Sequence, residues 1–148
     1  MKNQESNFLG KTLLTNKKTE IDSNTVFDKD IVIALYFSAN WGIGCKQFTP
    51  ILSDYYNKWN AKTKKIEVIF VSRDQDEENF NEYIKEMPWV AIPFKDSQLR
   101  FAIKSKYNVK GVPSLIIIDK KGNKLSDDAR EEIEVQGEKA IYIFQDLY

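Results

Sequence analysis

The chain has no histidine and a single cysteine among its 148 residues. Without histidine, the Ser-His and Cys-His pairs of nucleophilic catalysis are excluded, and a zinc site would have to be built from one thiolate and carboxylates. No metal ion or other cofactor is expected. A lone cysteine forms no internal disulfide, so the chain is not a small secreted domain held by cross-links. Excess charge is lacking too: 22 Lys and Arg balance 22 Asp and Glu, with no long block of either sign, and no nucleic-acid-binding stripe is indicated. No apolar run nears the ~20 residues of a membrane span, and the stretch from Met1 to Gly10 is too polar for a secretory signal. A cytoplasmic protein with neither a membrane nor a nucleic-acid partner is the expectation.

What is present is core-forming material. Hydrophobic residues make up 42%, with nine Phe, seven Tyr and three Trp, the right content for one domain over residues 1–148. Residues 1–25 are polar apart from short touches at Phe8-Leu9 and Leu13-Leu14, and predict a loose extension or a small hairpin. Ile31 to Ser38 is almost continuously apolar, as suits a strand covered on both faces. Phe48, Ile51, Leu52, Tyr55, Tyr56 and Trp59 then recur at three- and four-residue intervals, a helical stripe with Pro50 inside it that predicts a kink. Ile66 to Ser72 reads as a second strand, parallel to the first across the helical crossover.

Further along, Asp76-Glu77-Glu78 opens a helix lined by Phe80, Tyr83, Ile84 and Met87 and ended by Pro88. The nearby carboxylates Asp74, Asp76, Glu77 and Glu78 read as capping and dipole-pairing residues rather than as a metal cluster. Ser97 to Tyr107 predicts a weaker helix with Leu99, Ala102 and Ile103 inward. Leu115 to Asp119 predicts a buried strand, and Lys120-Lys121-Gly122-Asn123 turns it into a hairpin. Ala140, Phe144 and Leu147 suggest a short terminal helix.

The stretch with chemistry in it is Phe37-Ser38-Ala39-Asn40-Trp41-Gly42-Ile43-Gly44-Cys45, where the first strand runs into two glycines, the cysteine and the long helix. A helix N-terminus presents unpaired N–H groups and the positive end of the dipole, a setting that can acidify a thiol. Two readings of Cys45 stand: a buried apolar thiol one turn into the helix, or a monothiol reached from outside past the side-chain-free Gly42 and Gly44. The two glycines read either as a turn released from constraint or as a backbone nest for an anion.

The order of strand, Trp-x-x-x-Cys turn, helix, parallel strand and Val-Pro before a hairpin resembles the thioredoxin fold, an α/β domain with a mixed central sheet and helices on both faces. From Ile31 to Asp119 it is similar to the tryparedoxin and nucleoredoxin branch. The shared stretches are Tyr36-Phe-Ser-Ala-Asn-Trp41, Phe48-Thr-Pro50, Phe70-Val-Ser, Met87-Pro-Trp89 with Ala91-Ile-Pro93, and Tyr107-Asn-Val-Lys-Gly-Val-Pro113. The branch carries Trp-Cys-Pro-Pro-Cys where this chain has Trp41, Gly42, Ile43, Gly44 and Cys45. By that resemblance Gly42 stands in the place of the attacking cysteine and Cys45 in that of the resolving one, and Pro113 is a cis-proline facing the turn. The resemblance also implies that an extended client pairs with the backbone beside Pro113, and that Trp41 borders the client surface. Arg130 is a candidate counterpart of an arginine that tryparedoxins keep near their site.

The expectation is therefore a protein of thiol-disulfide redox homeostasis that has lost dithiol turnover. It would bind thiol or disulfide client proteins, or low-molecular-weight thiols, at Trp41, Gly42, Ile43, Gly44, Val112 and Pro113. The rival is a monothiol oxidoreductase with Cys45 as its catalytic group, and a plain scaffold is a third reading. A monomer is expected, with a Cys45-linked dimer as the alternative.

Overall fold

The two apolar runs flanking the long helix lie side by side at the middle of one sheet. The computed structural model describes residues 8–148; residues 1–7 of the expected N-terminal extension lie outside the described residues. In chain order the elements are β1 (Thr12–Leu14), β2 (Glu20–Asp22), α1 (Asn24–Phe27), β3 (Val32–Ser38), α2 (Ile43–Trp59), β4 (Ile66–Ser72) and α3 (Glu77–Ile84). There follow β5 (Val90–Ala91), α4 (Ser97–Lys106), β6 (Ser114–Ile118), β7 (Lys124–Ser126), α5 (Ala129–Gln136), a 3-10 turn at Gly137–Lys139 and α6 (Ala140–Asp146). The sheet runs β2-β1-β5-β4-β3-β6-β7. Strand β3 is parallel to β4, in register from Val32 opposite Ile66 to Ser38 opposite Ser72, and antiparallel to β6.

Strands β3 and β4 are buried along their whole length because both sheet faces are covered. Alternate side chains divide between two cores. Val32, Ala34 and Tyr36 pack with Phe48 and Leu52 of α2, Phe80 and Tyr83 of α3, and the C-terminal helices. Ile33, Leu35 and Phe37 pack with Val26 and Phe27 of α1 and Ile103 of α4. Phe8, Leu9, Leu13 and Ile21 join this second core: β1 and β2 form an antiparallel hairpin, β1 pairs with β5, and Leu9 and Leu13 are fully buried.

Some details depart from the sequence pattern. Ile51 and Ala102 face solvent, since the stripes on α2 and α4 are narrower than their apolar content. Helix α2 runs unbroken from Ile43 to Trp59 with Pro50 inside it. Helix α5, whose charged run Arg130-Glu131-Glu132 hides an inward Ala129 and Ile133, was not apparent from periodicity. Asp76 does cap α3, accepting the Asn79 N–H, but Asp74 does not. Its carboxylate accepts the backbone N–H of Asn40 at 2.7 Å and the Ser72 hydroxyl at 2.9 Å.

Beneath the first turn of α2 lies a group of buried hydroxyls. Tyr83 Oη is 2.6 Å from both Ser38 Oγ and Thr49 Oγ1, and Thr49 is 2.7 Å from Tyr36 Oη. Tyr83 also donates to the Cys45 carbonyl at 3.4 Å. Burial, above all, raises the pKa of both phenols, so they stay protonated near neutrality and serve as structural hydrogen-bond partners. Tyr83→Phe removes the hydroxyl shared by Ser38 and Thr49 from the buried group. It is expected to cost about 1–3 kcal/mol in urea denaturation without changing the fold.

Candidate functional site

The C-terminal ends of parallel strands are where α/β sheets place ligands, and here β3 and β4 end together. Strand β3 continues into Ala39-Asn40-Trp41 and β4 into Arg73-Asp74. The two exits are tied by the Arg73 N–H to the Ser38 carbonyl at 2.9 Å and by the Asp74 bridge to Asn40. Burial raises the Asp74 pKa against the opposing effect of its hydrogen bonds from the Asn40 N–H and the Ser72 hydroxyl. On the far side, Lys46 Nζ holds Asn40 Oδ1 at 2.8 Å and Glu86 at 2.7 Å. The turn is thus braced by residues that carry no chemistry themselves.

Gly42 is the extended N-cap of α2, with φ −83° and ψ 129° and no side-chain cap, so the N–H groups of the first turn face outward unpaired by any capping side chain. Trp41 and Ile43 project from this turn, 60% and 78% exposed. Gly44 faces the Val112–Pro113 peptide, which is cis; a Cβ placed on Gly44 would sit 3.3 Å from Pro113 Cδ. Arg130 Nη1 donates to the Pro113 carbonyl at 3.3 Å. Among the described residues, neither the N–H nor the C=O of half-buried Val112 is engaged in a hydrogen bond. The structure therefore brings Trp41, Gly42, Ile43, Gly44, Val112 and Pro113 to one surface, with Arg130 behind it.

Cys45 is adjacent to that surface but beneath it, with 0% exposure. A Cβ built on Gly42 would lie 3.4 Å from Cys45 Cβ and 3.0 Å from its sulfur. The first separation is close to the ~3.5–4.5 Å between β-carbons of a disulfide. The backbone at position 42 therefore stands at bridging distance from Cys45, although no sulfur is there.

A model of the family described as Thioredoxin-like matches residues 30–124. The chain belongs to the thioredoxin superfamily. Tryparedoxin I from Crithidia fasciculata superposes on this thioredoxin-like domain with a TM-score of 0.82 at 29% identity, covering 92% of this chain and 94% of that one. Tryparedoxin I from Leishmania major gives a TM-score of 0.78 at 30% identity over 86% of each chain. Nucleoredoxin from Danio rerio is 36% identical over 121 residues, 82% of this chain and 28% of that protein. Probable nucleoredoxin 1 from Arabidopsis thaliana is 37% identical over 116 residues, 78% and 20% of the two lengths. This thioredoxin-like chain is tryparedoxin- and nucleoredoxin-like, and it spans less than a third of those two nucleoredoxins.

No helix among the described residues is long and apolar enough to cross a membrane, and no group of three metal-ligating side chains is present among them. Asp74, Ser38, Thr49 and Tyr83 were missed as site supports by sequence reasoning. Their signal was a polar residue at an inward position of an apolar pattern, visible in Thr49 between Phe48 and Leu52. With its sulfur fully covered, Cys45 is expected to react with an aromatic disulfide at least about 100-fold more slowly in the native protein than in the denatured one, through local opening. Stopped-flow absorbance measures both rates, with Cys45→Ser as the blank.

Proposed function

We propose that this thioredoxin-like protein serves thiol-disulfide redox homeostasis by holding clients rather than by reducing them. The observation that carries the reading is an exposed apolar turn beside unpaired backbone groups, at a place that offers no exposed thiol. Trp41 and Ile43 stand exposed beside Val112, whose free N–H and C=O can pair with one residue of an extended client strand. Exchange at such a turn needs an exposed thiolate to attack the client disulfide and a second thiol to release the resulting mixed disulfide. Gly42 supplies no thiol, and Cys45 lies covered.

The same burial weighs against Cys45 as a catalytic monothiol and against a Cys45-linked dimer, because an incoming sulfur has no path to Cys45 Sγ without local opening. A solved tryparedoxin II is complexed with glutathionylspermidine. Low-molecular-weight thiols therefore remain in the ligand class proposed here, as bound molecules rather than as exchange partners. A cytoplasmic monomer with no cofactor completes the reading.

The test is insulin disulfide reduction driven by dithiothreitol. The wild-type protein is expected to add nothing to the background rate. Gly42→Cys is expected to form an internal disulfide with Cys45 on oxidation and to gain turnover: the introduced thiolate attacks insulin, Cys45 expels the reduced insulin thiol, and dithiothreitol takes up the oxidation. Turnover by the wild-type chain would overturn the reading. A Gly42→Cys protein that folds and stays silent would show that the surface is not of exchange type.

A further inference from the structure

Beside the Val112 strip the surface opens into a cavity of about 260 Å³ lined by Trp41, Arg73, Lys104, Val109, Lys110, Gly111 and Val112. Its charge is of one sign. Three cations and no carboxylate line it, in a chain whose acidic and basic residues balance. Among the described residues none of the three is in an ion pair. Each reaches the cavity from a different element: Arg73 follows β4, Lys104 comes from the last turns of α4, and Lys110 sits in the loop entering β6. Helix-dipole pairing explains a lysine at the end of α4 but not the convergence of the other two.

A neighbouring half-buried cation sharpens the contrast. Arg100 uses its guanidinium on the carbonyls of Phe94 and Ser72. Its pKa is lowered first by burial and next by the proximity of Arg73, with Asp74 and Asp96 opposing. Asp74 is already committed to Asn40 and Ser72. The carboxylates on the Lys110 side, Asp127 and Asp128, line a neighbouring opening rather than this one. Within the cavity the three cations meet no carboxylate, and like charges held together are stabilised by an anionic ligand.

We propose that this cavity takes the carboxylate side chains of an acidic segment in the extended client, next to the residues that pair with Val112. The proposal rests on the client-strand reading of the Trp41–Val112 surface and adds the class of client to it. The geometry fits because Val112 belongs to both features: a strand paired there projects alternate side chains, and those beside it meet the cavity wall formed by Trp41 and Val109. Trp41, Val109 and Val112 give apolar contact beside the ion pairs, and arginine adds a planar fork suited to a carboxylate.

The probes are cysteine-free extended peptides with one apolar centre, flanked on both sides by paired Glu, paired Gln or paired Lys. Binding is followed by amide chemical shifts and calorimetry, with the full chain. The Glu peptide is expected to bind roughly tenfold more tightly than the Gln peptide, as a few partly exposed ion pairs allow. The Lys peptide is expected to bind most weakly. The preference should fade between about 0.1 M and about 1 M salt as screening shortens. Combining Arg73→Gln, Lys104→Gln and Lys110→Gln should abolish the preference and leave Gln-peptide affinity unchanged. Equal binding of all three peptides with shifts at Val112 overturns the acidic-client proposal and leaves the client-strand reading standing, as does a preference that survives the triple variant. Absence of binding by every peptide overturns both.

Discussion

The site depends on the parallel pairing of β3 with β4. In register from Val32 and Ile66 to Ser38 and Ser72, it brings two chain exits out at one edge and forces α2 to begin there. The antiparallel pairing of β6 with β3 places Ser114 opposite Phe37, so the residues before it, Gly111 to Pro113, return to the same edge. Strand register thus decides which side chains meet, and the local braces only refine it. Asp74 on the Asn40 N–H, Lys46 on Asn40 and Arg130 on the Pro113 carbonyl each fix one loop against another. A one-residue slip of β3 would exchange Tyr36 for Phe37 in the core beneath α2 and dismantle the hydroxyl group as well.

That hydroxyl group explains how a buried turn of helix tolerates Cys45. Tyr36, Ser38, Thr49 and Tyr83 satisfy one another, and Tyr83 Oη reaches the Cys45 carbonyl. The hydroxyls under the turn are therefore paired among themselves, and the cysteine is a small core residue beside them. What remains at the surface is shape, backbone pairing capacity and charge: exposed Trp41 and Ile43, the free Val112 amide groups and the basic cavity. In the function proposed here these features would recognise a partner without a reacting group.

Much of this was legible from residue order alone. The continuous apolar runs at 31–38 and 66–72 read as central strands because burial on both faces erases alternation, and they are β3 and β4. The turn at Gly122, with φ +88°, was legible from its residue types. The two-residue β5 and helix α5 were not, because a strand that short has no period and the apolar content of α5 is overwritten by charge. Whether Cys45 faced solvent or core could not be read from sequence, since it turns on the packing of α2 over the sheet. The basic cavity was invisible for another reason: Arg73, Lys104 and Lys110 come from separate segments, each unremarkable among 22 dispersed cations.

The central claim is that client association at this surface survives without an attacking thiol. It is tested most directly by calorimetric affinities of one cysteine-free extended peptide for the wild-type chain and for reduced Gly42→Cys. Equal affinities, with heat from both, are the predicted result. Association with Gly42→Cys alone would contradict the claim, because it would make the thiol part of the binding surface.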